Sequence, residues 1–135
     1  MIDVIVADHQ ELFHEGMAEI LADADDICLV AQPRSAEQLL SVMETLIPQV
    51  LVLSTGFLPA FSQIQPVLQR GQTALLLLAE DNDRAAYMRW LRAQGVVYRS
   101  IDGPVLIDAM RRVARGELFV QSRSSDISEE PSEVA

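Results

Sequence analysis

The residues of this chain that could do chemistry are few, and most sit just after short apolar runs. Asp8 and His9 follow Ile2–Val6, Ser54-Thr55-Gly56 follows Val50–Leu53, and Glu80 follows the run that starts at Ala74. Asp8 either caps or hydrogen-bonds its own loop, or holds a cation with Glu80 and backbone oxygens. Ser54-Thr55-Gly56 either offers hydroxyls and backbone amides to an anion or simply turns the chain at a strand end. A serine hydroxyl without an adjacent base is a weak nucleophile. His9 reads as a loop residue and not a ligand. His14, among acids on a helix, reads as solvated. Cys28, inside a strand pattern, reads as a small core residue. As the single cysteine, it excludes an internal disulfide and a multi-cysteine metal site, and a reducing, cytoplasmic setting fits. All ten basic residues are arginine, so any mechanism that needs a lysine ammonium is excluded.

These residues must be positioned by the elements around them. Five apolar runs, Ile2–Val6, Ile27–Ala31, Val50–Leu53, Ala74–Leu78 and Val96–Tyr98, are continuous or nearly so. Strands buried on both faces of a parallel sheet read this way. Helical patterns lie between them. Leu12, Phe13, Met17, Ile20 and Leu21 make one face of a helix over Glu11–Leu21. Ser35 and Gln38 make a capping-box pattern for Ala36–Leu46. Asp83 and Gly95 bracket Arg84–Gln94. Pro104 suits the first turn of Val105–Arg115. Phe61–Arg70 is the weakest helix, because Pro66 lies inside it. The alternation predicts a doubly wound α/β fold, with its functional crevice beyond the carboxyl ends of the strands.

The 135 residues suffice for one domain that buries roughly two thirds of its unfolded surface. The longest apolar run, Ala74–Ala79, is far short of the ~20 residues that span a bilayer, so no membrane association is expected. The N-terminus has no secretory-signal pattern. The net charge of -10 argues against direct nucleic-acid binding. Charge is segregated: residues 1–26 carry eight acids and no base, whereas residues 84–123 carry eight arginines and three acids. From residue 119 the composition becomes that of a polar linker or tail.

Residues 1–118 resemble the receiver domain of bacterial response regulators of the NarL/LuxR type. The resemblance rests on Val6-Ala7-Asp8-His9, Leu12-Phe13-His14-Glu15-Gly16-Met17, Pro48-Gln49-Val50-Leu51-Val52-Leu53, the stretch from Leu91 to Tyr98, and Ala109-Met110-Arg111-Arg112-Val113-Ala114-Arg115-Gly116. It implies a flavodoxin-like (CheY-like) fold: a five-stranded parallel sheet in the order 2-1-3-4-5, flanked by five helices. It also implies a chemistry in which a histidine kinase phosphorylates an aspartate that ends the third strand. Two acids hold Mg²⁺, and a Thr or Ser and a Lys contact the phosphoryl oxygens. The cations offset the repulsion between a carboxylate nucleophile and an anionic phosphoryl group.

Carried over by position, the acid pair falls on Ala7 and Asp8, the phosphoacceptor on Ser54, the hydroxyl on Ala79 and the lysine on Ile101. A register two residues earlier puts Leu77 at the hydroxyl and Arg99 at the lysine. In either register only Asp8 keeps the required chemistry, and one aspartate with a serine hydroxyl is a poor Mg²⁺ site. The resemblance therefore implies a degenerate pseudo-receiver that works without phosphorylation, has no metal or cofactor and is not an enzyme. It would act through protein–protein contacts, as a dimer. Tyr98 falls on the family's aromatic switch position. Met88, Trp90, Arg92 and Arg111 are the candidate dimer interface, because aromatics and arginine are enriched at such contacts. The family continues into a helix-turn-helix DNA-binding domain, which nothing after residue 119 matches. The competing reading is a small-ligand sensor that uses the former phosphate crevice. A flavodoxin-like enzyme would need a glycine-rich loop where Ala7-Asp8-His9-Gln10-Glu11 stands.

Overall fold

The structure is a computed structural model that describes residues 1–80 and 93–121. The chain begins with β1 (Ile2–Ala7), α1 (Glu11–Ala22), β2 (Ile27–Ala31), α2 (Ala36–Val42) and β3 (Val50–Ser54). A 3₁₀ segment (Thr55–Ala60) leads into α3 (Phe61–Gly71) and β4 (Ala74–Ala79). Then come β5 (Gly95–Tyr98), α4 (Gly103–Ala114) and β6 (Phe119–Val120). The strands form one parallel sheet in the order β2-β1-β3-β4-β5-β6.

Strand alternation divides the core in two. Ile5, Ala7, Leu51, Leu53, Leu75 and Leu77 point to one face, where α2, the 3₁₀ segment and α3 pack with Leu39, Phe57, Ile64 and Leu68. Val4, Val6, Val50, Val52, Leu76 and Leu78 point to the other, against Met17, Leu21, Leu106, Met110 and Val113 of α1 and α4. Burial on both faces explains why the central strands read as continuous apolar runs. Each fully buried Leu or Ile contributes ~1.5–3 kcal/mol of transfer free energy.

Four expectations need correction. The sheet has six strands, not five. Phe119 and Val120, read as the start of a polar tail, pair with Gly95 and Val96 of β5. A Cβ at Gly95 would lie 2.7 Å from the Phe119 carbonyl oxygen, so the missing side chain admits the extra strand. Four α-helices, not five, are present among the described residues, and most of the expected Arg84–Gln94 helix lies outside them. The buried face of α1 is His14, Met17 and Leu21, whereas Leu12 is 81% exposed. Cys28 is only half-buried, because β2 is an edge strand.

α3 forms despite Pro66. Ser62 and Pro66 are both exposed, so the carbonyl left without its helical donor faces water, while Phe61, Ile64 and Leu68 anchor the inner face. α2 starts as the capping box predicts, with the Ser35 hydroxyl accepting from the Gln38 N–H at 3.1 Å, but ends early at Val42.

Candidate functional site

The register of the sheet brings four strand ends together. Asp8 follows β1, Ser54 ends β3, Glu80 follows β4 and Arg99 follows β5. With His9 and Thr55 they line a cleft of about 310 Å³ at the carboxyl edge of the sheet. Asp8 is 1% exposed and Ser54 2%.

The Arg99 guanidinium ties the cleft together. Its two terminal nitrogens donate to the two carboxylate oxygens of Asp8 at 2.9 and 2.8 Å, a bidentate fork. Its Nε donates to Glu80 at 2.9 and 3.1 Å, and one terminal nitrogen also reaches Glu80 at 2.8 Å. The guanidinium carbon lies 4.8 Å from the centre of the Phe13 ring. Burial pushes the Asp8 carboxyl upward. The Arg99 bonds and charge, the Gln10 N–H and the Ser54 hydroxyl outweigh it, so the carboxyl is held below its ordinary value. The hydrogen bonds that Arg99 donates to Asp8 raise its guanidinium above its own ordinary value. Among the described residues the cleft holds two carboxylates and one guanidinium.

The residues do not fit a hard divalent cation, which wants about six oxygen ligands. Asp8 and Glu80 are both engaged by Arg99, and Ala7 and Ser54 bring no carboxylate to the positions beside them. No group of three or more His, Cys, Asp or Glu residues is arranged for a metal among the described residues. The Ser54-Thr55-Gly56 turn is occupied by its own backbone: the Ser54 hydroxyl accepts from the Gly56 N–H at 3.3 Å and caps the 3₁₀ segment.

The sequence-derived positions divide accordingly. Asp8 and Ser54 meet in the cleft. Ala7 and Ala79 are fully buried in the first core, as is Tyr98, which lies opposite Ala79 across the β4–β5 pair. Ile101 is not in the cleft. It packs against the second core, and its N–H closes a turn on the Tyr98 carbonyl, whereas Arg99 lines the cleft. Leu77, like Ala79, points into the first core, where it pairs with Leu53. Arg111 is paired within the chain to Asp26 through two 2.8 Å bonds. Met88, Trp90 and Arg92 lie outside the described residues.

Three features escaped the sequence reading. His14 is buried, not solvated: its Nε2 lies 2.7 Å from the Asp8 carbonyl oxygen and its Nδ1 3.1 Å from Gln32 Nε2. The available signal was the i, i+3, i+7 spacing of His14, Met17 and Leu21. The His9 ring stacks on Phe57 at 4.4 Å, and its Nδ1 meets the Arg34 carbonyl at 2.9 Å. Phe13 faces the guanidinium.

No family model matches the sequence. The transcriptional regulatory protein DegU of Brevibacillus brevis is 23% identical over 128 residues. That match covers 90% of this chain and 54% of DegU, so the chain spans about half the length of this curated relative. The isolated receiver domain of RcsB from Salmonella enterica serovar Typhimurium superposes with a TM-score of 0.79 at 18% identity, covering 96% of this chain and 99% of that one. The chain has the response-regulator receiver fold. The signal receiver domain of the response regulator NarL from Mycobacterium tuberculosis gives a TM-score of 0.74 at 20% identity, covering 86% and 98%. A LuxR-family response regulator from Aurantimonas sp. SI85-9A1 gives 0.77 at 18%, covering 98% and 96%. On this receiver fold, the cleft of Asp8, Ser54, Glu80 and Arg99 occupies the carboxyl edge of the sheet, where a doubly wound fold presents its functional crevice. No helix among the described residues is long and apolar enough to cross a membrane.

Proposed function

We propose that the chain is the receiver domain of a NarL/LuxR-type regulator whose output does not depend on phosphorylation. The observation that carries this reading is the Asp8–Arg99–Glu80 cluster beside Ser54. Where the family's chemistry needs a carboxylate nucleophile, a hydroxyl is engaged in capping a turn. Where it needs free acids for a cation, the acids hold an arginine. The domain is a regulatory interaction module and not an enzyme. It sits in the cytoplasm and, in the full-length protein, adjoins a DNA-binding domain. A receiver with no phosphate switch must act through a contact that is already available, and self-association through the arginine-rich segment 84–123 supplies one.

The reading is tested by intact-mass spectrometry after incubation with acetyl phosphate and Mg²⁺. The expected spectrum is that of the untreated chain. A stable phosphoryl adduct, at Ser54 or elsewhere in the cleft, overturns the proposal.

A further inference from the structure

We infer that the Arg99 guanidinium is the resident cation of the cleft and closes Asp8 and Glu80 to divalent metal ions. The inference goes beyond the receiver reading, because it stands on the cleft alone. Five donor–acceptor contacts join Arg99 to the two carboxylates, three to Glu80 and two to Asp8. The planar fork of a guanidinium matches a carboxylate in a way that a point charge does not. Asp8 is 1% exposed, and the Phe13 ring lies against the guanidinium. A metal ion entering from solvent must therefore displace both ion pairs and accommodate a displaced positive charge within the same small cleft.

Without that charge the balance reverses. Asp8 and Glu80 flank one space, and both lose the guanidinium that bonds them, with the Ser54 hydroxyl on Asp8 as a further oxygen. That is a small but hard oxygen set, suited to a weakly held Mn²⁺ or Mg²⁺ ion completed by water. Charge balance, and not a lack of oxygen atoms alone, is then what keeps a metal out.

The test is a Mn²⁺ titration of the ¹⁵N-labelled full chain, read as paramagnetic broadening of backbone amides, on wild type, Arg99→Gln and Arg99→Lys. In wild type, the Asp8, Ser54 and Glu80 amides should broaden no more than amides beside exposed carboxylates elsewhere on the chain. In Arg99→Gln these amides should broaden selectively, with an apparent affinity at least about tenfold tighter, since one unit charge within ~4 Å is removed. Arg99→Lys keeps the charge without the fork and should bind manganese more weakly than Arg99→Gln. Selective broadening in wild type overturns the inference, even if the glutamine variant fails to fold. So does a folded glutamine variant that behaves as wild type, or a lysine variant that binds as well as the glutamine variant. A phosphoryl adduct on wild type would defeat phosphorylation-independence without deciding this inference, which the manganese titration settles separately.

Discussion

Arg99 has two carboxylate partners, and they should not matter equally. Asp8 is 1% exposed, whereas the Glu80 side chain is 43% exposed. Asp8→Asn keeps the shape of the side chain, removes its charge and turns an amide NH₂ toward a guanidinium that can only donate. Removing one partner of a buried pair costs about 3–5 kcal/mol. Here Glu80 still holds the guanidinium and the Arg99 side chain is 18% exposed, so about 2–4 kcal/mol is expected. Glu80→Gln breaks a largely solvated pair, for which about 0–1 kcal/mol is expected. At roughly 3 °C per kcal/mol for a chain of this length, Asp8→Asn should lower Tm by about 6–12 °C and Glu80→Gln by no more than about 3 °C. Urea unfolding followed by far-UV circular dichroism at neutral pH gives the two free energies, and thermal unfolding gives the two Tm shifts. Equal losses, or a loss below about 1 kcal/mol for Asp8→Asn, would refute the assignment of Asp8 as the buried anchor.

The Asp8 carboxyl is lowered in the folded chain relative to its ordinary value. Its contribution is therefore fully present above the unfolded pKa of about 3.9 and is lost as pH falls through the lower folded value. The stability gap between wild type and Asp8→Asn should be constant near neutral pH and close in acid. A gap that opened on acidification would carry the wrong sign. Gly95→Ala should cost about 1–3 kcal/mol, because the new Cβ meets the Phe119 carbonyl oxygen at 2.7 Å. The Gln121 amide, which bonds the Val96 carbonyl, should then lose hydrogen-exchange protection first. Wild type should sediment as a dimer and Trp90→Ala as a monomer. A wild-type chain that stays monomeric at high concentration would remove self-association from the proposal.

Much of the fold was legible because the physics that sets it is local. Runs such as Val50–Leu53 and Ala74–Leu78 are apolar on both sides because both sides are covered. β6 was not legible: two residues carry no period, and the strand exists because Gly95, far away in sequence, lets it approach. His14 was misjudged because neighbouring acids suggested solvent, although its spacing to Met17 and Leu21 places it inward. Asp8 and Ser54 were legible as strand-end residues. The role of Arg99 was not, because it joins groups 91 and 19 residues away and depends on where β5 stops. Counting from Tyr98 as the last strand residue selects Arg99, whereas Ile101 falls one turn beyond.

The most direct test of the central claim is the amide spectrum of the ¹⁵N-labelled chain before and after Mg²⁺ and beryllofluoride, a mimic of the phosphoryl group. A cleft closed by Arg99, with a serine in place of the nucleophile, predicts that the two spectra superpose. Shifts concentrated at Asp8, Ser54 and the end of β5 would contradict it.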